Sequence, residues 1–293
     1  MNRTITYNIK IEDTGKKIQD FLKENGLSSK LITRLKKTKE GILINGKWEY
    51  VNYVLKENDT LTIFIKDIFD ENNILPTRMP LEIVYEDEDI LVINKPAGMP
   101  VHPSINNYTN TLANAVTYYY KDEENFIFRC INRLDKDTTG LTIIAKNPLS
   151  GCLLYDMITK KMIKRTYLAI VRGMVYDSGT IDAPIARKSE SIIERCVDYK
   201  SGEKAITHYK PILSSGKYSL LEIHLETGRT HQIRVHMDFI GHPLPGDFLY
   251  NPDYSIINRQ ALHSSCLDFP HPIDNKNMHF EIDMPNDMKK FFY

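Results

Sequence analysis

From Leu81 onwards, strand-like segments recur without the regular strand-helix alternation that builds a doubly wound parallel sheet. LEIVYED, DILVINKP, LTIIAKN, RTYLAIVRG, AITHYKPIL, YSLLEIHLE and the late FEIDMP all read as strands. Helical patterns are fewer: TLANAVTYYYK around 111–121, SGCLLYDMITKK around 150–161 and HQIRVHMDFIG around 231–241. The expectation is a mixed α+β domain over residues 81–293 with a mainly antiparallel sheet. At 293 residues the chain exceeds one compact domain of usual size, so a second, smaller unit is expected.

That unit lies at the front. TITYNIKIE alternates like a strand, Ile18, Phe21 and Leu22 share one helical face, and Leu31, Ile32 and Leu35 share another behind a Ser28 or Ser29 cap. Asn45-Gly46 then marks a hairpin turn, and Asn58-Asp59 breaks two further short strands. Residues 16–47 hold nine Lys and Arg against three acids, so a chain of zero net charge has one basic end. Taken alone, such a run is a solvated helix face. Two short helices followed by an Asn-Gly hairpin, however, resemble the S4 RNA-binding domain, which implies that residues 1–66 bind RNA through side chains such as Arg34, Lys36 and Lys37. Residues 67–80, acidic and polar with two prolines, read as a linker.

The overall charge gives no case for a polyanionic partner, so any nucleic-acid argument is local. The four cysteines are widely spaced, without zinc-type pairs or a disulfide pattern, which suits a reducing cytoplasm. No stretch approaches the roughly 18 to 20 apolar residues of a membrane span, and the N-terminus lacks the apolar core of a secretion signal. A soluble cytoplasmic protein with no membrane partner is expected.

The most informative segment is Asn132-Arg133-Leu134-Asp135-Lys136-Asp137-Thr138-Thr139-Gly140-Leu141, which runs into the apolar strand LTIIAK. Alone, Asp135 could be a turn or capping residue. The segment closely resembles the RLDxxTSGL signature of the RluA-type pseudouridine synthases, and further blocks of that family occur upstream and downstream in the right order. These are NKPAGMPVHP at 94–103, KRTYLAIVRG at 164–173 and LETGRTHQIRVH at 225–236, with GHPLPGD and LHSSCLDFPHP behind them. With the S4-like unit the resemblance covers almost the whole chain. The chain departs from the pattern at Asn132, where His is usual, at Thr139, where Ser is usual, and at Asn251, where Gly is common.

The resemblance implies an enzyme that turns a uridine of structured RNA into pseudouridine without a cofactor. The N1–C1′ bond breaks, the uracil turns while bound, and C5 joins C1′, with no redox change and no group transferred. Asp135 is the implied catalytic carboxylate, acting as nucleophile or base. Arg133 is implied to assist base flipping, although a structural ion pair is the plainer role for such a residue. Tyr167 is implied to lie against the uracil, where a strand tyrosine would ordinarily only pack. Arg229 is implied to pair with Asp135 and keep it charged, and Leu225 to line the pocket. Lys95 is expected to support the active-site loop or a phosphate, and Lys164 to contact phosphate beside the bound nucleotide. His231 and His236 are spaced poorly for one metal on a helix face, and no metal is expected.

Two other readings compete. A non-catalytic RNA-binding protein would be expected to have lost one of Asp135, Tyr167 or Arg229, and all three are present. A glycosidase would need two cooperating carboxylates, and near Asp135 only Asp137 is close in sequence. Large-subunit ribosomal RNA is the expected substrate, transfer RNA the alternative, and a monomer the expected state.

Overall fold

The computed structural model describes residues 1–67, 74–123 and 125–292. The chain begins with β1 (Arg3–Asn8), α1 (Ile18–Glu24), α2 (Ser29–Lys37), β2 (Ile42–Ile44), β3 (Lys47–Trp48) and β4 (Thr60–Ile65). These strands form one antiparallel sheet in the order β1-β4-β2-β3. Ser28 caps α2, its Oγ accepting the Leu31 N–H at 3.3 Å. Asn45 and Gly46 join β2 to β3 with φ of 51° and 79°, the left-handed pair that a tight two-residue hairpin demands. Ile18, Phe21 and Leu22 of α1 and Leu31, Ile32 and Leu35 of α2 are buried against Ile42, Ile44, Leu61 and Ile63 of the sheet. The expected linker over 67–80 falls partly outside the described residues. Asp67 at its start is buried and accepts hydrogen bonds from the N-terminal ammonium and from Arg129, and residues 74–80 have no regular structure.

The larger part contains β5 (Glu82–Glu86), β6 (Ile90–Lys95), α3 (Leu112–Tyr119), β7 (Thr139–Ala145), α4 (Pro148–Thr159), β8 (Lys164–Arg172), β9 (Gly179–Asp182), β10 (Ile185–Arg187), β11 (Arg195–Val197), β12 (Ile206–Ser215), β13 (Tyr218–Leu225), α5 (Gln232–Phe239), β14 (Leu262–Pro270), β15 (Asn277–Glu281) and α6 (Asn286–Lys289). Nine strands share one sheet in the order β5-β6-β7-β14-β8-β13-β12-β9, with β15 also on β14, while β10 and β11 pair separately. Within that sheet the β7–β14 pairing alone is parallel. The α+β, mainly antiparallel expectation therefore describes the fold.

The centre of this sheet was not legible as a strand in the sequence. β14 runs LHSSCLDFP, and its first half pairs with β7 while its second half pairs with β15 on the same edge. Its other edge pairs with β8 across a register shift between Ser264 and Cys266. Ser264 is fully buried because β7 approaches closely at Gly140, where φ is +111° and any side chain would collide with the Ser264 backbone. This contact places the Asp135 loop, which leads into β7, next to β8.

The two parts meet along α4. Leu149 belongs to the apolar core of the first sheet, and Cys152, Leu153 and Ile273 pack against that core. Cys152 Sγ accepts the Ser28 N–H at 3.3 Å and lies 3.5 Å from Gly26 O, so α4 bears on the turn between α1 and α2. Arg3 adds a two-pronged bond to Asp89 at 3.0 and 2.8 Å. Among the described residues no helix is long and apolar enough to cross a membrane.

Candidate active site

The segment between Asn132 and Thr139 is held rigidly before it enters β7. Asn132, 1% exposed, donates from its amide to Leu141 O at 3.1 Å and accepts the Ile143 N–H at 2.8 Å. The amide thus fits the hydrogen-bonding edge of β7, which is the local role of the residue that replaces the usual His. Thr139 Oγ1 lies 2.8 Å from His263 Nδ1 on β14, and Asp137 accepts the Gly98 N–H at 3.2 Å. In this extended run Leu134 turns inward, Arg133 is exposed, and the Asp135 side chain is 24% exposed.

Lys95 is enclosed by backbone from two loops. It is fully buried, and its Nζ donates to Pro96 O at 2.8 Å, Met99 O at 2.9 Å and Lys136 O at 3.0 Å. Three carbonyls match the three N–H bonds of an ammonium, tying the 96–99 loop to the Asp135 loop. Burial pulls the Lys95 pKa down to about 7, against the charges of Asp137 and Asp135. Of the two expected roles, loop support or a phosphate contact, this enclosed position fits loop support.

The partner of Asp135 also differs from the expectation. Arg234 Nη1 donates to Asp135 Oδ2 at 3.0 Å, and the rest of the guanidinium forks onto Asp247 at 2.6 and 2.7 Å. Arg234 is essentially buried and Asp247 completely so. Burial alone would lower the Arg234 pKa, but the bonds and charges of Asp247 and Asp135 outweigh it and raise it. The Phe248 and Tyr250 rings lie 5.5 and 5.2 Å from the guanidinium carbon. Arg229 pairs instead with Glu203 and donates to Lys204 O at 3.1 Å, at the exposed rim. The reason is where α5 starts. Arg229 precedes the helix, in a loop facing the approach to β12, whereas Arg234 lies in the first turn among buried residues.

Tyr167 of β8 is buried beside Leu134, Ile233 and, at the end of β13, the half-buried Leu225. Burial raises its pKa; the Asp135 charge adds to the shift and Arg165 opposes it. His231, at the start of α5, holds the left-handed conformation at φ 58°, and its Nδ1 lies 3.3 Å from Tyr250 Oη. His236 is buried, with its two ring nitrogens 2.8 Å from Thr207 Oγ1 and from Ala183 O.

Asp135, Arg133, Tyr167, Leu225 and Arg229 all line one open cleft of about 1040 Å³, together with Arg234 and His231. The cleft continues along α4 to the first sheet's unit, where Ser28, Lys30, Leu31 and Arg34 form its far wall. Lys36, Lys37 and Lys164 are exposed but lie off its walls. The walls carry Lys30, Arg34, Arg129, Arg133, Arg165, Arg229 and Arg234 against the acids Asp135 and Glu226. A chain without net charge therefore concentrates positive charge where Asp135 is accessible, an arrangement suited to a polyanion. Lys30, Arg34, Arg133 and Arg165 have no carboxylate partner among the described residues.

Comparison with known proteins shows the family of the chain. The family model described as RNA pseudouridylate synthase matches residues 89–239. The uncharacterized RNA pseudouridine synthase YjbO of Bacillus subtilis is 39% identical over 93% of this chain and 97% of its own length. The ribosomal large subunit pseudouridine synthase D of Zymomonas mobilis is 43% identical over 74% of this chain and 73% of its own. Among solved structures, human RNA pseudouridylate synthase domain containing 1 superposes with a TM-score of 0.57 at 26% identity, covering 70% of this chain and 83% of that one. The chain belongs to the RNA pseudouridylate synthase family, and it is an enzyme that isomerises uridine in RNA to pseudouridine.

Proposed function

We propose that the enzyme modifies large-subunit ribosomal RNA and that Asp135 is its catalytic carboxylate. The observation that carries the catalytic assignment is the Asp135–Arg234–Asp247 chain opening onto a cationic cleft. The doubly held guanidinium keeps one Asp135 oxygen fixed, while the partly exposed side chain stays within reach of a nucleotide. A uridine swung out of its helix enters beside Tyr167 and Leu225, at an unstacking cost of a few kcal/mol. Arg133, exposed on the opposite face from Leu134, takes part in holding the opened RNA. Asp135 acts on the ribose or the uracil so that N1–C1′ breaks. The retained base turns, C5 bonds to C1′, and the C5 proton is lost as N1 gains one.

The ribosomal substrate is supported by relatives named for the large ribosomal subunit, the Zymomonas mobilis protein among them. Residues 1–66 serve as an S4-like RNA-binding unit, supported by their helix pair, their Asn-Gly hairpin and the basic residues they bring to the cleft. A monomer in a reducing cytoplasm completes the proposal, and the four unpaired cysteines suit that compartment.

The test is carbodiimide-dependent primer extension on RNA from cells lacking the protein, and from such cells restored with wild type or with Asp135→Asn. A stop in large-subunit ribosomal RNA should vanish without the protein, return with wild type and stay absent with Asp135→Asn. A change confined to transfer RNA refutes the substrate assignment and leaves the chemistry standing. Full restoration by Asp135→Asn refutes the catalytic assignment.

A further inference from the structure

Tyr155 stands on α4 with its side chain in the cleft and no part in the chemistry described above. It is 72% exposed, and its hydroxyl has no hydrogen-bond partner among the described residues. Several other aromatic side chains are exposed, among them Trp48, Tyr50 and Tyr176, but among the described residues Tyr155 is the exposed Phe, Tyr or Trp that lines this cleft. Its surroundings separate it from an ordinary surface tyrosine. One turn earlier on the helix, Cys152 touches the start of α2, which carries Lys30 and Arg34; one turn later, Ile158 leads towards Arg165. The ring is therefore an exposed plane in the wall of a cleft that also carries Lys30, Arg34 and Arg165, none of which has a carboxylate partner among the described residues.

We infer that Tyr155 is a stacking platform for an unpaired RNA base next to the target uridine, with the flanking phosphates held by Lys30 and Arg34 on one side and Arg165 on the other. The inference rests on the proposal that RNA follows this cleft. Flipping a uridine unstacks its neighbours, and an aromatic face within the cleft offers one of them a new stacking surface without regard to its identity. Seating α4 against the turn between α1 and α2 fixes the spacing between platform and cations, so the cleft favours substrates with an unpaired base at one distance from the target.

The test measures binding of a labelled in vitro transcript of large-subunit ribosomal RNA, together with pseudouridine formation in it, for wild type, Tyr155→Phe and Tyr155→Ala. Tyr155→Ala should weaken binding by about five- to 150-fold, the usual range for loss of one base–aromatic stack, and Tyr155→Phe should stay within about twofold of wild type. The slope of log affinity against log salt should not change in Tyr155→Ala, because no phosphate contact is lost, whereas Arg34→Ala should flatten it by roughly one contact's worth. The side chain is exposed, so equal melting temperatures are expected throughout. Wild-type binding by Tyr155→Ala overturns the inference, as does a Phe variant as weak as the Ala variant or a changed salt slope in Tyr155→Ala. If wild type binds but makes no pseudouridine in this transcript while the affinity pattern holds, the ribosomal assignment fails and the platform stands.

Discussion

Arg234 is held by two carboxylates in different surroundings, and the structure assigns them different consequences. Asp247 is completely buried and grips the guanidinium with both oxygens, whereas Asp135 contributes one bond and is 24% exposed. Asp247→Ala leaves a buried guanidinium with a single partial partner, and removing one member of such a pair costs about 3–5 kcal/mol. For a chain of this size that corresponds to a fall in Tm of about 6–20 °C. Turnover should drop about a hundredfold as well, because the Asp135 anchor loses its fixed position. Asp135→Asn keeps the Asp247 fork and should change stability by less than about 1 kcal/mol while abolishing turnover. Calorimetric melting and a tritium-release assay on the same preparations measure both quantities. The reasoning is refuted if Asp247→Ala melts within about 3 °C of wild type, or if Asp135→Asn destabilises as much as Asp247→Ala.

Lys95→Met should cost about 1–3 kcal/mol, since the carbonyls of Pro96, Met99 and Lys136 lose their donor, and denaturant titration would detect it. The same lysine gives a pH signature. Its folded pKa of about 7 lies below the unfolded value, so between about pH 7 and pH 10 the unfolded chain holds a proton that the folded chain has released. Wild type should therefore gain stability relative to Lys95→Met as pH rises through that window; a flat difference would contradict the shift. Gly140→Ala should leave little folded protein at 37 °C, seen as loss of the soluble form, because φ is +111° and the Ser264 backbone blocks a side chain. Arg229→Ala should reduce turnover far less than Arg234→Ala does, with its effect falling mainly on KM in steady-state kinetics, because Arg229 lies at the rim and is tied to Glu203.

The first sheet's unit was the most legible part of the sequence, because its helix faces, its Asn-Gly turn and its alternating strands are local signals. The long apolar strands of the larger sheet were legible for the same reason. β14 was not, since Ser264 is buried by the close approach of β7, and Ser265 is buried with its hydroxyl donating to Thr166 O of β8, neither by any preference of its own. Asp135 was singled out by the pattern around it, but its arginine was misassigned. Arg229 and Arg234 are five residues apart in one segment, and the choice depends on which of them falls inside the helix. A signal was present: Arg234 sits between Ile233 and Val235 on a helix whose neighbouring positions are buried, and a charge there requires a buried acid such as Asp247. Lys95 offered no comparable cue, because its carbonyl cage consists of backbone from two distant loops.

The place of β14 sets an order on assembly. The strand that joins β7 to β8 is made of residues 262–270, so a ribosome synthesising this chain releases both flanking strands about a hundred residues before the piece that unites them. Until then, the loop carrying Asp135 and the strand carrying Tyr167 belong to two separate half-sheets, each with an open edge. A partly synthesised chain can complete its basic N-terminal unit, whose sheet closes by residue 65, long before it can hold Asp135 against its partners. The N-terminal unit thus closes before the Asp135 site can, and the waiting edges of β7 and β8 are where premature association between nascent chains would begin.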